Sequence, residues 1–405
     1  MSVNPFRFAR LCAGFGIAAT SLAWSLVAAA ADAGNAFNPK ISLILDGNFA
    51  RYTHADDGSP VPGFVLGDDA GLLPSGLSLG ETELAIEANV DDMFHAWSTI
   101  SLSPEGGISV EEAFVNTISL PDGFALKFGR FKSDIGYQNH IHAHAWDFVD
   151  APLVYRAMLG GQLQDDGVQA RWIAPLPVFL DVGVELYRGA AFPGGGDHRP
   201  GIPAKTVFAH LGDDINTSWS YRLGLSYLHT TADDRRSDDA GAPTAFTGRS
   251  NLGIFDFVTK WAPHGNPVQR NAVIEGEYFR RSERGDVVAD PGGAATASTY
   301  DGAQSGFYVQ GAYQFMPQWR VGLRYDRLHT SNTVGNPAPG TSLETLAGDG
   351  RDPQRWSVMA DWSHSEFSRV RVQFNRDESR PNRGADNQFF VQYIFSLGSH
   401  PAHSF

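Results

Sequence analysis

The chain has 405 residues, a formal charge of −14 and 45 acidic against 31 basic side chains. That acidity argues against nucleic acid as a partner, and a single cysteine excludes a disulfide framework within the chain. Beyond the N-terminal segment there is no stretch of about 18 apolar residues, so no helix is expected to span a membrane.

Arg7 and Arg10 are followed by the largely apolar residues 11–27 and by Ala28, Ala29, Ala30 and Ala31. This order is that of a cleaved export signal, predicted over residues 1–31. Cys12 lies inside it, so the exported chain, residues 32–405, is expected to be one unit without cysteine. From there apolar and polar residues alternate, the period that sends successive strand side chains to opposite faces. Alternating segments fall at residues 39–52, 77–90, 94–103, 109–120, 124–131, 167–174, 178–189 and 204–212. They continue at 219–230, 251–262, 269–282, 305–316, 319–330, 355–363, 367–377 and 387–397, giving about sixteen strands.

The connections take turns in length. Residues 91–93, 121–123, 175–177, 213–218, 316–318 and 363–366 are short. Residues 53–76, 132–166, 231–250, 283–304 and 331–354 are long and rich in Gly, Pro, Asp and Ser. A soluble β-sandwich also has one apolar face per strand, but its Greek-key crossovers have no reason to keep such a rhythm. A closed antiparallel transmembrane β-barrel does, with short periplasmic turns and long extracellular loops. Ile41, Leu43 and Leu45, then Phe124, Leu126 and Phe128, then Trp319, Val321, Leu323 and Tyr325 form stripes suited to outer-membrane lipid. The opposite faces carry charge, which is costly in a dry core and unproblematic beside water.

The segment from Asn387 to Leu397 resembles the terminal strand of Gram-negative outer-membrane porins, with Phe395 and the terminal Phe405 as the aromatics that barrel-assembly machinery would read. A nearer likeness runs from Glu111 and Glu112 through Gly129-Arg130-Phe131-Lys132 to residues 166–169. It is similar to the phosphate-selective-porin-like superfamily. Residues 139–156 are similar to its subgroup of zinc-regulated outer-membrane receptors or porins. The resemblance implies a channel, with a homotrimer as the common porin assembly.

Lys127, Arg130, Lys132, Arg320, Arg324, Arg369, Arg371 and Arg376 are candidates for a basic lumen wall. Glu81, Glu83, Glu87, Glu111, Glu112, Glu275 and Glu277 are candidates for an acidic one, the two setting a transverse field on passing ions. The bland alternative is pairing between strands. The run 132–166 is the candidate constriction loop, because its apolar residues need a surface to bury against. Within it His140, His142 and His144 share one face of an extended segment, and Asp147 or Asp150 would complete a shell for zinc. A polar loop held by its own hydrogen bonds is the competing reading, and no cofactor is otherwise expected. There is no Gly-x-Ser-x-Gly elbow, no His-Glu-x-x-His and no Gly-rich phosphate cradle, so no enzyme is expected. The sequence thus reads as a passive diffusion channel for small hydrophilic solutes or ions. Its alternatives are a zinc-linked or other substrate-specific channel and a non-conducting surface receptor or adhesin.

Overall fold

The computed structural model describes residues 39–54, 60–67, 70–102, 107–196, 201–237, 243–335, 340–380 and 384–398. The expected signal peptide and Phe405 lie outside these residues. Sixteen antiparallel strands close into one barrel. The first eight are β1 (Lys40–Tyr52), β2 (Gly76–Leu79 and Thr82–Asn89), β3 (Phe94–Leu102), β4 (Ile108–Thr117), β5 (Phe124–Lys132), β6 (Gln164–Ile173), β7 (Phe179–Tyr187) and β8 (Ala204–Asn216). The second eight are β9 (Trp219–Ser237), β10 (Thr244–Trp261), β11 (Asn271–Ala289), β12 (Thr296–Met316), β13 (Trp319–Thr330), β14 (Gln354–Ser365), β15 (Ser368–Asp377) and β16 (Asp386–Gly398). The pair Thr333–Val334 bonds beside β12 at Tyr300 and Asp301 and is not a wall strand.

Closure is made by β1, which pairs with β16 from Ser42↔Gly398 to Tyr52↔Gln388 and with β2 on its other edge. A closed sheet leaves no unpaired backbone edge, as a wall facing hydrocarbon requires. Alternation along the strands then sorts the side chains. Ile41 and Leu45 are exposed while Ser42, Ile44 and Asp46 are buried. Aromatic pairs form a ring near the short turns, Trp219 with Trp261 and Trp319 with Trp362, each 6.3 Å between centroids. A second aromatic group lies farther up the wall, where Tyr325 is 5.9 Å from Phe307 and 4.5 Å from Trp356. These are the two girdles expected at the headgroup levels. Phe395 sits on the outward face of β16, stacked 6.5 Å from Tyr393.

The wall is not of even height. β9 to β12 run 18 to 21 residues, whereas β3 to β7 run 9 or 10. Residues 231–250 and 283–304, expected as long loops, are therefore mostly strand. The outward apolar stripe stops at Tyr278, and Arg280 and Arg284 continue the same face, while the ladder to β10 and β12 runs on to Ala289. A bilayer needs about 9–11 tilted residues, so the upper half of these strands stands clear of lipid and has no reason to be apolar outside.

The interior holds a packed core. Residues 133–163, between β5 and β6, fold into the barrel and include helix α1 (Leu153–Leu159). Leu153, Val154, Ala157, Met158 and Leu159 pack on the inward side chains Leu228, Leu252, Ile254, Phe279, Tyr308 and Leu328. Val61, Phe64 and Leu66, from the connection between β1 and β2, join the same cluster. Above it, helix α2 (Ser342–Leu346) adds Leu343 and Leu346 to a group with Phe246, Val287 and Tyr300. Helix α1 ends at Gly160, whose φ of 69° is the left-handed cap that glycine adopts without strain. Its neighbour in space is Gly67, where a Cβ would stand 2.8 Å from the Gly160 Cα.

Candidate functional site

The inserted loop is tied to the wall by charge. Asp150 accepts from Arg324 at 2.7 Å and from Arg355 at 2.6 Å, with Gln373 and Asn375 donating at 2.7 and 3.0 Å. Asp326 lies beneath both guanidiniums, 3.1 and 3.3 Å from their Nε atoms, and accepts the Leu153 amide at 2.8 Å. Burial by itself would raise the Asp150 carboxyl, but Arg355 and Arg324 hold it well below the usual carboxylate range. The Val149 amide donates to Gln373 at 2.7 Å. On other strands Glu277 accepts the Tyr155 hydroxyl and the Gln138 amide, Ser226 the Gly136 amide, and Glu185 the Asp134 amide. One loop thus bonds to β7, β9, β11, β13, β14 and β15, and so crosses the lumen.

The expected basic wall is inward in part. Arg320 pairs with Asp361 at 2.7 Å and with Asp147 at 2.8 Å. Arg324 and Arg371 are fully buried, Arg371 lying 3.5 Å from Asp361, and Arg369 donates to the His144 carbonyl. Lys132 turns in at the end of β5 to reach Glu111 at 2.5 Å, and Lys127 stands 5.0 Å from the rings of Phe114 and Phe131. Arg130 is a correction: it shares the outward face of Phe124, Leu126 and Phe128 and pairs there with Asp166 at 2.7 Å. Arg376 is another, exposed and bonded to Glu378 at 2.9 Å.

The acidic residues face inward, several of them buried by the loop instead of lying beside open water. Glu87 pairs with Lys40 at 3.3 Å, Glu275 accepts from Gln310 at 2.7 Å, and Glu277 serves the loop as described. Glu81 accepts from Ser101 at 3.3 Å at the interruption of β2. Glu111 and Glu112 are consecutive, and strict alternation would send only one of them inward. The register slips at this point, Thr99 facing Glu112 and Ile100 facing Val110, so Glu111 is the extra residue of a β-bulge and both carboxylates are buried.

The histidines do not share one face. A turn closed by the Ile141 amide on the Gln138 carbonyl holds His140 towards Tyr137, 6.2 Å between ring centroids, and the 3₁₀ turn at Ala143–Ala145 that follows sets His142 and His144 against the wall. His140 is exposed and lines the cavity below the loop. Asp147 and Asp150 are engaged by arginines. His142 and His144 converge instead on Glu83, at 3.1 and 2.8 Å.

Between the loop and the short-turn end lies a cavity of about 960 Å3, lined by Lys260, Arg320 and Arg369 together with Asp147 and Glu275. Sequence reasoning passed over Arg355 and Asp361. Their signal was parity: both alternate with the outward Trp356, Val358 and Trp362, just as Asp326 shares a face with Arg324.

No protein-family model matches the chain. Among solved structures the barrel is similar to the trimer form of OmpT, an outer membrane protein of Vibrio cholerae, with a TM-score of 0.51 and 10% identity over 89% of this chain and 99% of that one. It is similar to the outer membrane channel DcaP of Acinetobacter baumannii, with a TM-score of 0.52 and 13% identity over 89% and 96%. It is also similar to an anion-selective porin from Comamonas acidovorans, with a TM-score of 0.50 and 10% identity over 89% and 99%. At such identities the likeness is one of fold, that of the outer-membrane porin barrels. An uncharacterized protein of Aquifex aeolicus (strain VF5) is 30% identical over 395 residues, covering 91% of this chain and 80% of the relative. The chain belongs to the family of that Aquifex protein.

Proposed function

We propose that the protein is an outer-membrane channel that passes small hydrophilic solutes or ions by passive diffusion, with flow limited by the inserted loop. The observation that carries this reading is the loop of residues 133–163, pinned across the barrel above a cavity of about 960 Å3 with both signs of charge on its wall. Lys260, Arg320 and Arg369 beside Asp147 and Glu275 offer weak, multiple contacts to a passing ion, the condition for entry without capture. In this reading the short turns face the periplasm and the tall strands face outwards. Export by the N-terminal signal, assembly through the β16 terminus and a homotrimer belong to it. The trimer form of the similar Vibrio barrel supports the last. The junction at Gly129-Arg130-Phe131-Lys132, where the wall hands over to the loop, supports placement with the phosphate-selective-porin-like superfamily and its zinc-regulated subgroup.

Planar-bilayer recording tests the channel. The wild-type barrel is expected to give small stepwise conductances, and Asp150→Ala, which removes the loop carboxylate that Arg324 and Arg355 hold, larger or flickering ones. If protein that runs as a folded, heat-modifiable barrel shows no steps in either form, the channel reading fails.

A further inference from the structure

We propose that Glu83, His142 and His144 form a binding site for one divalent transition-metal ion, which fastens the inserted loop to β2. The ligand atoms of these three residues lie within 4.8 Å of one another. The Glu83 carboxylate faces both rings, Oε2 at 3.1 Å from His142 Nδ1 and Oε1 at 2.8 Å from His144 Nδ1. The rings are 5.7 Å apart between centroids. An ion placed among these atoms would take two imidazole nitrogens and one carboxylate oxygen, a donor set that suits zinc-like ions better than calcium or magnesium, which favour oxygen alone.

Three further observations point to a cation here. Glu81, Glu83 and Glu111 form a second group with oxygens within 4.8 Å around the Lys132 ammonium, and Glu112 adjoins it, accepting the Lys132 backbone amide. Buried negative charge in such excess is costly unless compensated. The Glu111 Oε2 atom has no hydrogen-bond partner although the residue is only 7% exposed, and its Oε1 lies 3.5 Å from His142 Nδ1. Finally, His142 Nε2 is 2.9 Å from Glu112 Oε2. With a metal on Nδ1, that nitrogen keeps its proton and donates it to Glu112, the outer-sphere arrangement that orients a ligating histidine. His144 lines the cavity at the short-turn end, which gives an ion a route in.

Cobalt(II) is the probe. Titrated into the refolded full-length barrel in detergent, it is expected to bind once per chain with visible d–d bands, to release protons as it displaces them from the imidazoles, and to be displaced by zinc. His142→Ala, His144→Ala and Glu83→Gln are each expected to weaken binding by at least the about 10–100-fold that loss of an outer-sphere partner costs, and Glu112→Gln to fall within that range. His140→Ala keeps wild-type affinity. Heat-modifiable migration in gels checks that each variant is a folded barrel. Absence of saturable cobalt binding by the wild-type barrel overturns the proposal whatever the variants do, as does equal weakening by His140→Ala. The readout is spectroscopic, so silent bilayers would sink the channel and leave this site standing.

Discussion

Arg324 and Arg355 are fully buried, and the carboxylate facing them from the loop is Asp150. Removing one partner of such a buried group costs about 3–5 kcal/mol, because the remaining charges stay out of water. Asp150→Asn is therefore expected to destabilise loop docking by that order, read as faster proteolysis within residues 133–163 of a barrel that still migrates as folded. The pH dependence has a fixed sign. The Asp150 pKa is lower in the folded protein than its ordinary 3.8, so its contribution is fully present above that value and fades as pH falls through the lower, folded one. The docking contributed by Asp150 should thus be independent of pH at neutral and mildly acid pH and loosen only in strong acid. Much at this scale was legible: Arg320, Arg324, Glu83 and Glu277 face inward as their parity demands. Arg130 was misread because a basic residue on a lipid-side row looks like a lumen residue until its neighbours Leu126 and Phe128 are counted. The convergence of His142 and His144 on Glu83 depends on a turn at Ala143–Ala145 that no local spacing announces.

Among elements, the inserted loop behaves as a miniature core. Its helix is too short to persist alone, and it is held by packing on Leu252, Ile254, Phe279 and Leu328. Leu153→Ala, at a position with no exposure, is expected to cost about 2–5 kcal/mol of loop stability. The cost should appear in hydrogen exchange of residues 149–159 and leave the strand ladders unchanged. The loop's place inside the barrel was legible, since residues such as Phe148, Val154 and Tyr155 need burial. The matching cover from Val61, Phe64 and Leu66 was not, because those residues sit in a Gly- and Pro-rich stretch without periodicity. The upper parts of β9 to β12 were missed for the opposite reason: the hydrogen bonds continue where the hydrophobic signal stops.

For the whole molecule, the orientation across the membrane follows from wall height and turn length. Asp290→Cys, in the connection at the top of β11, is expected to react with an impermeant maleimide on intact cells, whereas Glu366→Cys, between β14 and β15, reacts only after the envelope is opened. The reverse pattern would invert the barrel. The loop carries one more consequence, for the order of assembly. Strands β3 to β6 pair with neighbours in sequence, so their amides can be protected as soon as each hairpin forms. The Val149 and Leu153 amides instead donate to Gln373 and Asp326, more than 170 residues onward. They acquire protection only when the C-terminal wall has curled round to meet them. Exchange at those two amides is a clock for closure of the cylinder, started by the first half of the chain and stopped by the last.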